Sequence, residues 1–129
     1  TTTSYTDKKA ANGVPYSYVV KAYNGNSVGN GSTLSTVRLS TPAVTSCSSK
    51  SKAITLKWKK NTKVSGYEIK YKTGSSSKTI KVKKKAAVKY VIKKLNKGKR
   101  YTVQMRSYKT AGGKTYYSAW SGSKKVVVR

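Results

Sequence analysis

Histidine and phenylalanine are missing from this 129-residue chain, and its carboxylates number two, Asp7 and Glu68. Without imidazole there is no Ser-His-Asp triad and no base to activate Cys47. Asp7 and Glu68 fall in different units of the chain, which leaves no paired carboxylates for acid–base work. The single Cys47 excludes an internal disulfide, and nothing has zinc-ligand spacing. At a strand position a free thiol reads as a small buried hydrophobe. No signal peptide, lipidation motif or apolar run long enough to cross a bilayer is present. The expectation is a protein that is not an enzyme, holds no cofactor or metal and inserts in no membrane.

Lysine, by contrast, is abundant. The formal charge is +27, and it is unevenly placed. Residues 1–41 hold Lys8, Lys9, Lys21 and Arg38 against Asp7, while the other 25 basic residues stand in 42–129 against Glu68 alone. Only Arg38, Arg100, Arg106 and Arg129 are arginines. Lys57, Lys59, Lys70, Lys72, Lys81, Lys83 and Lys89 alternate with apolar residues, as the wet faces of strands do, and lysine also guards sheet edges. Sequence-reading proteins favour arginine forks and stacked aromatics. No specific nucleic-acid partner is therefore expected, and loose attraction to an anionic cell-wall polymer stays open.

The most informative pattern is a repeat. Gly13–Tyr23 (GVPYSYVVKAY) returns 85 residues later as Gly98–Tyr108 (GKRYTVQMRSY). Each copy sets a Gly three residues before a Tyr and then alternates small or apolar residues with polar ones. A repeat of that length implies tandem β-units, not one 129-residue domain. On this reading the chain opens in the middle of a unit.

Period-two alternation marks the strands of residues 42–129. Ala43–Ser48 is the first. Ala53–Lys59 points Ile54, Leu56 and Trp58 to one face, and Gly66–Lys72 does the same with Tyr67, Ile69 and Tyr71. Lys78–Lys83 carries Ile80 and Val82; Val88, Tyr90 and Ile92 mark the next. Tyr101–Tyr108 buries Tyr101, Val103, Met105 and Ser107. Ala111-Gly112-Gly113 is a hairpin tip, and a last strand runs from Tyr116 to Val128. Seven short strands without a helical stretch close naturally as an all-β, two-sheet antiparallel sandwich.

Trp58, Gly66–Tyr71, the Leu95–Gly98–Tyr101 spacing and Ser118-Ala119-Trp120-Ser121 together resemble a fibronectin type III domain, with its immunoglobulin-like sandwich. The resemblance covers residues 42–129 as a complete module and makes Tyr101 a tyrosine corner, with Leu95 plugging the core beneath it. It makes residues 1–41 the C-terminal strands (E, F, G) of a partial module: Thr1–Tyr5, Tyr16–Tyr23 and Ser32–Leu39. Upstream strands are then needed to complete residues 1–41. The glycine-rich stretch between Tyr23 and Ser32 reads as a long hairpin loop, and Asn30-Gly31-Ser32 as a glycosylation sequon relevant only in a eukaryote. The lysine-rich, disulfide-free style resembles repeats in secreted or surface proteins of Gram-positive bacteria.

Tyr108, Tyr116, Tyr117, Trp120 and Arg106 are the candidate ligand-binding residues. They read either as an aromatic platform for glycan or as an internal stack of Trp120 on Arg106. Glu68, on the outward face, reads as a solvated ion pair. It is the only acid in 42–129 that a Lys–Asn isopeptide bond would have to use, and its outward position speaks against that. The expected function is a spacer or presentation module of an extracellular or cell-surface protein, partnered by the neighbouring domains of its parent. The alternative is adhesion to an anionic cell-wall polymer or glycan.

Overall fold

The computed structural model describes residues 3–129. Strands β1 (Pro15–Asn24) and β2 (Ser27–Val37) pair only with each other, as an antiparallel hairpin. The glycine-rich stretch expected to be a long loop is strand instead: pairing continues to Asn24 and Ser27 across a two-residue turn. Small residues suit the crossing here, because a Cβ on Gly31 would lie 2.5 Å from Val19 Cγ1 and 3.1 Å from Lys21 Cγ. A second expectation also fails. Thr1 and Thr2 lie outside the described residues, and Thr3–Tyr5 form no strand, since the chain offers them no ladder partner. The strand expected over Ser32–Leu39 begins earlier and stops at Val37.

The rest of the chain supplies β3 (Val44–Lys50), β4 (Ala53–Trp58), β5 (Gly66–Thr73), β6 (Ser76–Val82), β7 (Lys89–Ile92), β8 (Arg100–Ala111), β9 (Lys114–Tyr117) and β10 (Lys124–Val127). One sheet has the order β3-β4-β7 and the other β10-β8-β5-β6, with β9 also on β8; every pairing is antiparallel. The fold is thus all-β, an immunoglobulin-like sandwich. Among the described residues there is no helix, hence none long and apolar enough to cross a membrane.

Alternation fills the space between the sheets. Ile54, Leu56 and Trp58 from β4 meet Tyr67 and Ile69 from β5 and Val103 and Met105 from β8, with Ile92, Leu95 and Val128 closing the ends. Trp58 and Tyr67 meet edge to face, ring centroids 5.2 Å apart. Cys47, opposite Leu56, packs half-buried against this core.

The sequence repeat is also a repeat of structure. Gly98 (φ 78°) donates its N–H to Val128 O at 2.8 Å, and the Tyr101 hydroxyl accepts the Asn96 N–H at 3.3 Å. Gly13 (φ 75°) donates to Arg38 O at 2.8 Å, and the Tyr16 hydroxyl accepts the Ala11 N–H at 2.8 Å. Leu95 and its counterpart Ala10 are both buried. Both glycines hold a left-handed conformation that a side chain adopts only at a cost.

The expected final strand is interrupted between β9 and β10. Across the gap, serine hydroxyls stand in for ladder carbonyls: Ser118 Oγ accepts from Ser107 N and Ser121 Oγ from Met105 N, both at 3.0 Å. In return Ser118 N donates to Ser107 O at 3.0 Å and Ser121 N to Met105 O at 2.7 Å. The segment stays tied to β8 while its backbone leaves the pleat, and that detour positions Trp120.

Candidate ligand-binding face

The outer face of β5 and β8 carries the candidate residues. Register sets Glu68 opposite Arg106 and Gly66 opposite Tyr108, and Tyr108 in turn opposite Tyr117. A Cβ on Gly66 would run into Val82 O and sit 2.7 Å from the Tyr108 hydroxyl, so the Tyr108 ring packs close against this glycine. Arg106 Nε and Nη2 both donate to Glu68 Oε2, at 2.9 and 2.8 Å.

Aromatic rings roof this ion pair. Arg106 Cζ lies 3.8 Å from the Tyr117 ring centroid and 4.5 Å from that of Trp120. Lys70 Nζ also lies over Trp120 at 4.3 Å, and Lys81 Nζ lies over Tyr108 at 4.5 Å. Cation and ring thus alternate along the face as Lys70, Trp120, Arg106 and Tyr117. Glu68 does point outward, as its alternation implies, yet its side chain is only 12% exposed. The solvated ion pair is therefore a covered one, because the detour after β9 folds Trp120 back over the sheet.

Arg106, Tyr108, Tyr117 and Trp120 come together on this face. Tyr116 does not, since it pairs with Lys109 and alternation sends it to the other side of the ribbon. Tyr108 is buried and Tyr117 is 41% exposed, so the outer ring is what the face offers to solvent. Lys70 and Lys81 were not among the candidate residues. The signal for Lys70 lay in the register, which puts it two residues from Glu68 on the same face.

Away from this face, local contacts shift Cys47, Asp7 and Tyr18. Burial pushes the Cys47 thiol up, against a smaller opposing effect of Lys124. The Tyr18 hydroxyl donates to Asp7 Oδ2 at 2.8 Å, holding that carboxyl below its usual range while Tyr18 itself is pushed up to about 12.

The profile of the fibronectin type III domain matches residues 40–123. The chain belongs to the fibronectin type III family. Fibronectin type III domains are commonly modules of larger proteins, and they generally serve as non-catalytic binding or spacer units. The crystal structure of chicken CNTN1 FN1-FN3 domains is similar in fold, at 22% identity and a TM-score of 0.58, covering 97% of this chain. This chain spans 46% of that one, about half its length. A structure described as a myokine is similar at 17% identity and a TM-score of 0.56, covering 70% of this chain and 98% of its own. No curated protein matches the sequence.

Proposed function

We propose that the chain is a non-catalytic spacer in a larger extracellular or cell-surface protein. In this reading residues 1–41 are the last strands of one fibronectin type III-like module and residues 42–129 the complete next one. The junction between the hairpin and the sandwich carries it. A Cβ on Gly13 would run into Lys63 O, so the backbone of the hairpin's entry loop rests against the loop between β4 and β5. Ser40 O accepts from Ser107 Oγ at 2.8 Å, Ser40 N donates to Asn12 Oδ1 at 2.9 Å, and Leu39 packs against the core. Contacts this close leave little freedom for bending, and a stiff join is what spacing requires.

The hairpin's inner face supports the partial-module half of the proposal. An open groove of about 870 Å³ lies along Tyr18, Val20, Leu34 and Thr36. On β8 the corresponding face is covered by the opposite sheet, and the repeat supports a like cover for the hairpin from upstream strands of the same parent. Adhesion through the Trp120 face has weaker support, because Arg106 already spends its guanidinium on Glu68, Trp120 and Tyr117.

The test is a spin-label distance between Ser35 and Ser123, measured in the parent protein so that the hairpin is covered. A single narrow distance, broadened by Gly13→Val, is expected. A broad distribution in the unmodified protein overturns the spacer reading.

A further inference from the structure

We propose that a cavity at one end of the sandwich binds a phosphate group carried on a sugar or polyol. The cavity, about 530 Å³, lies where β5 turns into β6 and where the chain leaves β7. Its size falls within the range of small-ligand pockets. Lys78, Lys93 and Lys94 line it together with Thr73, Ser76 and Asn96. The walls bring ammonium, hydroxyl and amide donors, and no carboxylate. The tilted rings of Tyr71 and Tyr101, centroids 6.4 Å apart, add an apolar side suited to a carbon skeleton.

Two of these lysines hold placements that an ordinary wet strand face does not require. Lys78 pairs with Tyr71, on the core-facing side of β6 where Ile80 and Val82 point inward. An inward charge on an edge strand protects that edge from pairing, and β6 is an edge strand. That accounts for Lys78 alone. Lys94 sits at φ 59°, in the left-handed region that glycine or asparagine occupies more easily. The turn itself uses only the backbone, handing the Leu95 N–H to Lys52 O at 2.9 Å. Lys52 holds a similar φ of 57° outside the cavity, so what sets Lys94 apart is that it brings its charge to the lining. Like charges lining one polar space favour an anion as its occupant. Lysines act as point charges toward phosphate, with hydroxyl and amide donors completing its shell.

The inference is independent of the spacer reading and is tested on the 129-residue chain. Glycerol 1-phosphate is titrated at low ionic strength while backbone amide shifts are recorded. Saturable shifts confined to Thr73–Lys78 and Lys93–Asn96 are expected. Lys94→Gly suits the left-handed backbone, so it should keep the thermal midpoint while weakening binding about tenfold, the effect of losing one close charge. Replacing Lys83, Lys84 and Lys85 together with Gln, away from the cavity, should leave the affinity within about twofold. Absence of saturation overturns the proposal, as does equal weakening by that triple variant, which would mark diffuse attraction. Inorganic phosphate binding as tightly as glycerol 1-phosphate would overturn the assignment of the carbon skeleton to the Tyr71–Tyr101 wall.

Discussion

Tyr16 on β1 and Tyr101 on β8 occupy the same local geometry, each with its hydroxyl on an N–H five residues upstream and a left-handed glycine three residues before it. Four residues further on the two strands part company. Met105 is 0% exposed, whereas Val20, its counterpart in the repeat, is 73% exposed. The difference lies in what covers each strand. β8 has β5 on one side, β9 and β10 on the other, and Ile54 and Leu56 across the sandwich; β1 has β2 alone. Local sequence sets the corner, the turn and the alternation, while burial of the strand depends on residues distant in sequence. A lone two-stranded hairpin is marginal in water for the same reason.

Substitution at the matched positions should expose that difference most sharply. Met105→Ala is expected to cost about 2–5 kcal/mol of unfolding free energy, and Leu95→Ala about the same. Val20→Ala should stay within about 0.5 kcal/mol. Denaturant titration of the 129-residue chain, followed through the buried Trp58, gives all three. A large loss at Val20 would mean that the hairpin's inner face is covered in solution. Limited proteolysis probes the same contrast: cleavage before about Thr41 is expected first, leaving residues 42–129 intact. A resistant hairpin in dilute monomer would break the comparison.

Next in size is the covered ion pair. Arg106→Ala leaves the Glu68 carboxylate without its donors beneath the rings, and should cost about 1–3 kcal/mol by the same denaturation measurement. An effect under about 0.5 kcal/mol would show that water reaches Glu68 freely.

These residues also show where the sequence was legible. Ile54, Leu56, Trp58, Tyr67 and Ile69 alternate without interruption, so their strands and the core could be read directly. The Gly98–Tyr101 spacing carried the corner, and the paired glycines carried the β8–β9 tip. Glu68 was misread because alternation reports which side of a strand a residue leaves from. It cannot show that Trp120 folds back over that side from fifty-two positions away. The break after Tyr117 was missed for a related reason: Ser118 and Ser121 act as ladder acceptors through their side chains, which a hydrophobic pattern does not register. In the hairpin, Gly29 and Gly31 looked like loop residues, although β2 needed them only for backbone pairing with β1.

The corner hydroxyls give a smaller contrast. Tyr101→Phe removes the acceptor of the Asn96 N–H beside the core and should cost roughly 1 kcal/mol. Tyr16→Phe removes the acceptor of the Ala11 N–H, but that bond is exposed whereas the Tyr101 one is part-buried, so water replaces the lost partner and a smaller loss is expected. Equal losses in the two denaturation curves would mean that Ala11 is shielded in solution.

The smallest effect is a pH dependence found on the hairpin side alone. Asp7 accepts from the Tyr18 hydroxyl and from the Lys9 N–H, both at 2.8 Å, and these bonds hold its carboxyl below the ordinary value of 3.8. A depressed acid contributes stability that is present above its unfolded pKa and is lost as pH falls through the lowered value. Tyr18 works in the opposite sense: raised from 10.0 to about 12, it contributes below pH 10 and loses that contribution as pH rises through about 12. Docking of residues 7–10 on β1 should therefore hold across the neutral range and fail at both extremes. Amide shifts of Lys9 and Tyr18 followed from neutral pH into acid should move together only below pH 3.8, and Asp7→Asn should abolish that step. The Asn96 amide, whose partner Tyr101 meets no carboxylate, serves as the reference that stays still. If Lys9 and Asn96 shifted in parallel, the acid response would belong to the sandwich, and the Asp7 clasp would not explain it.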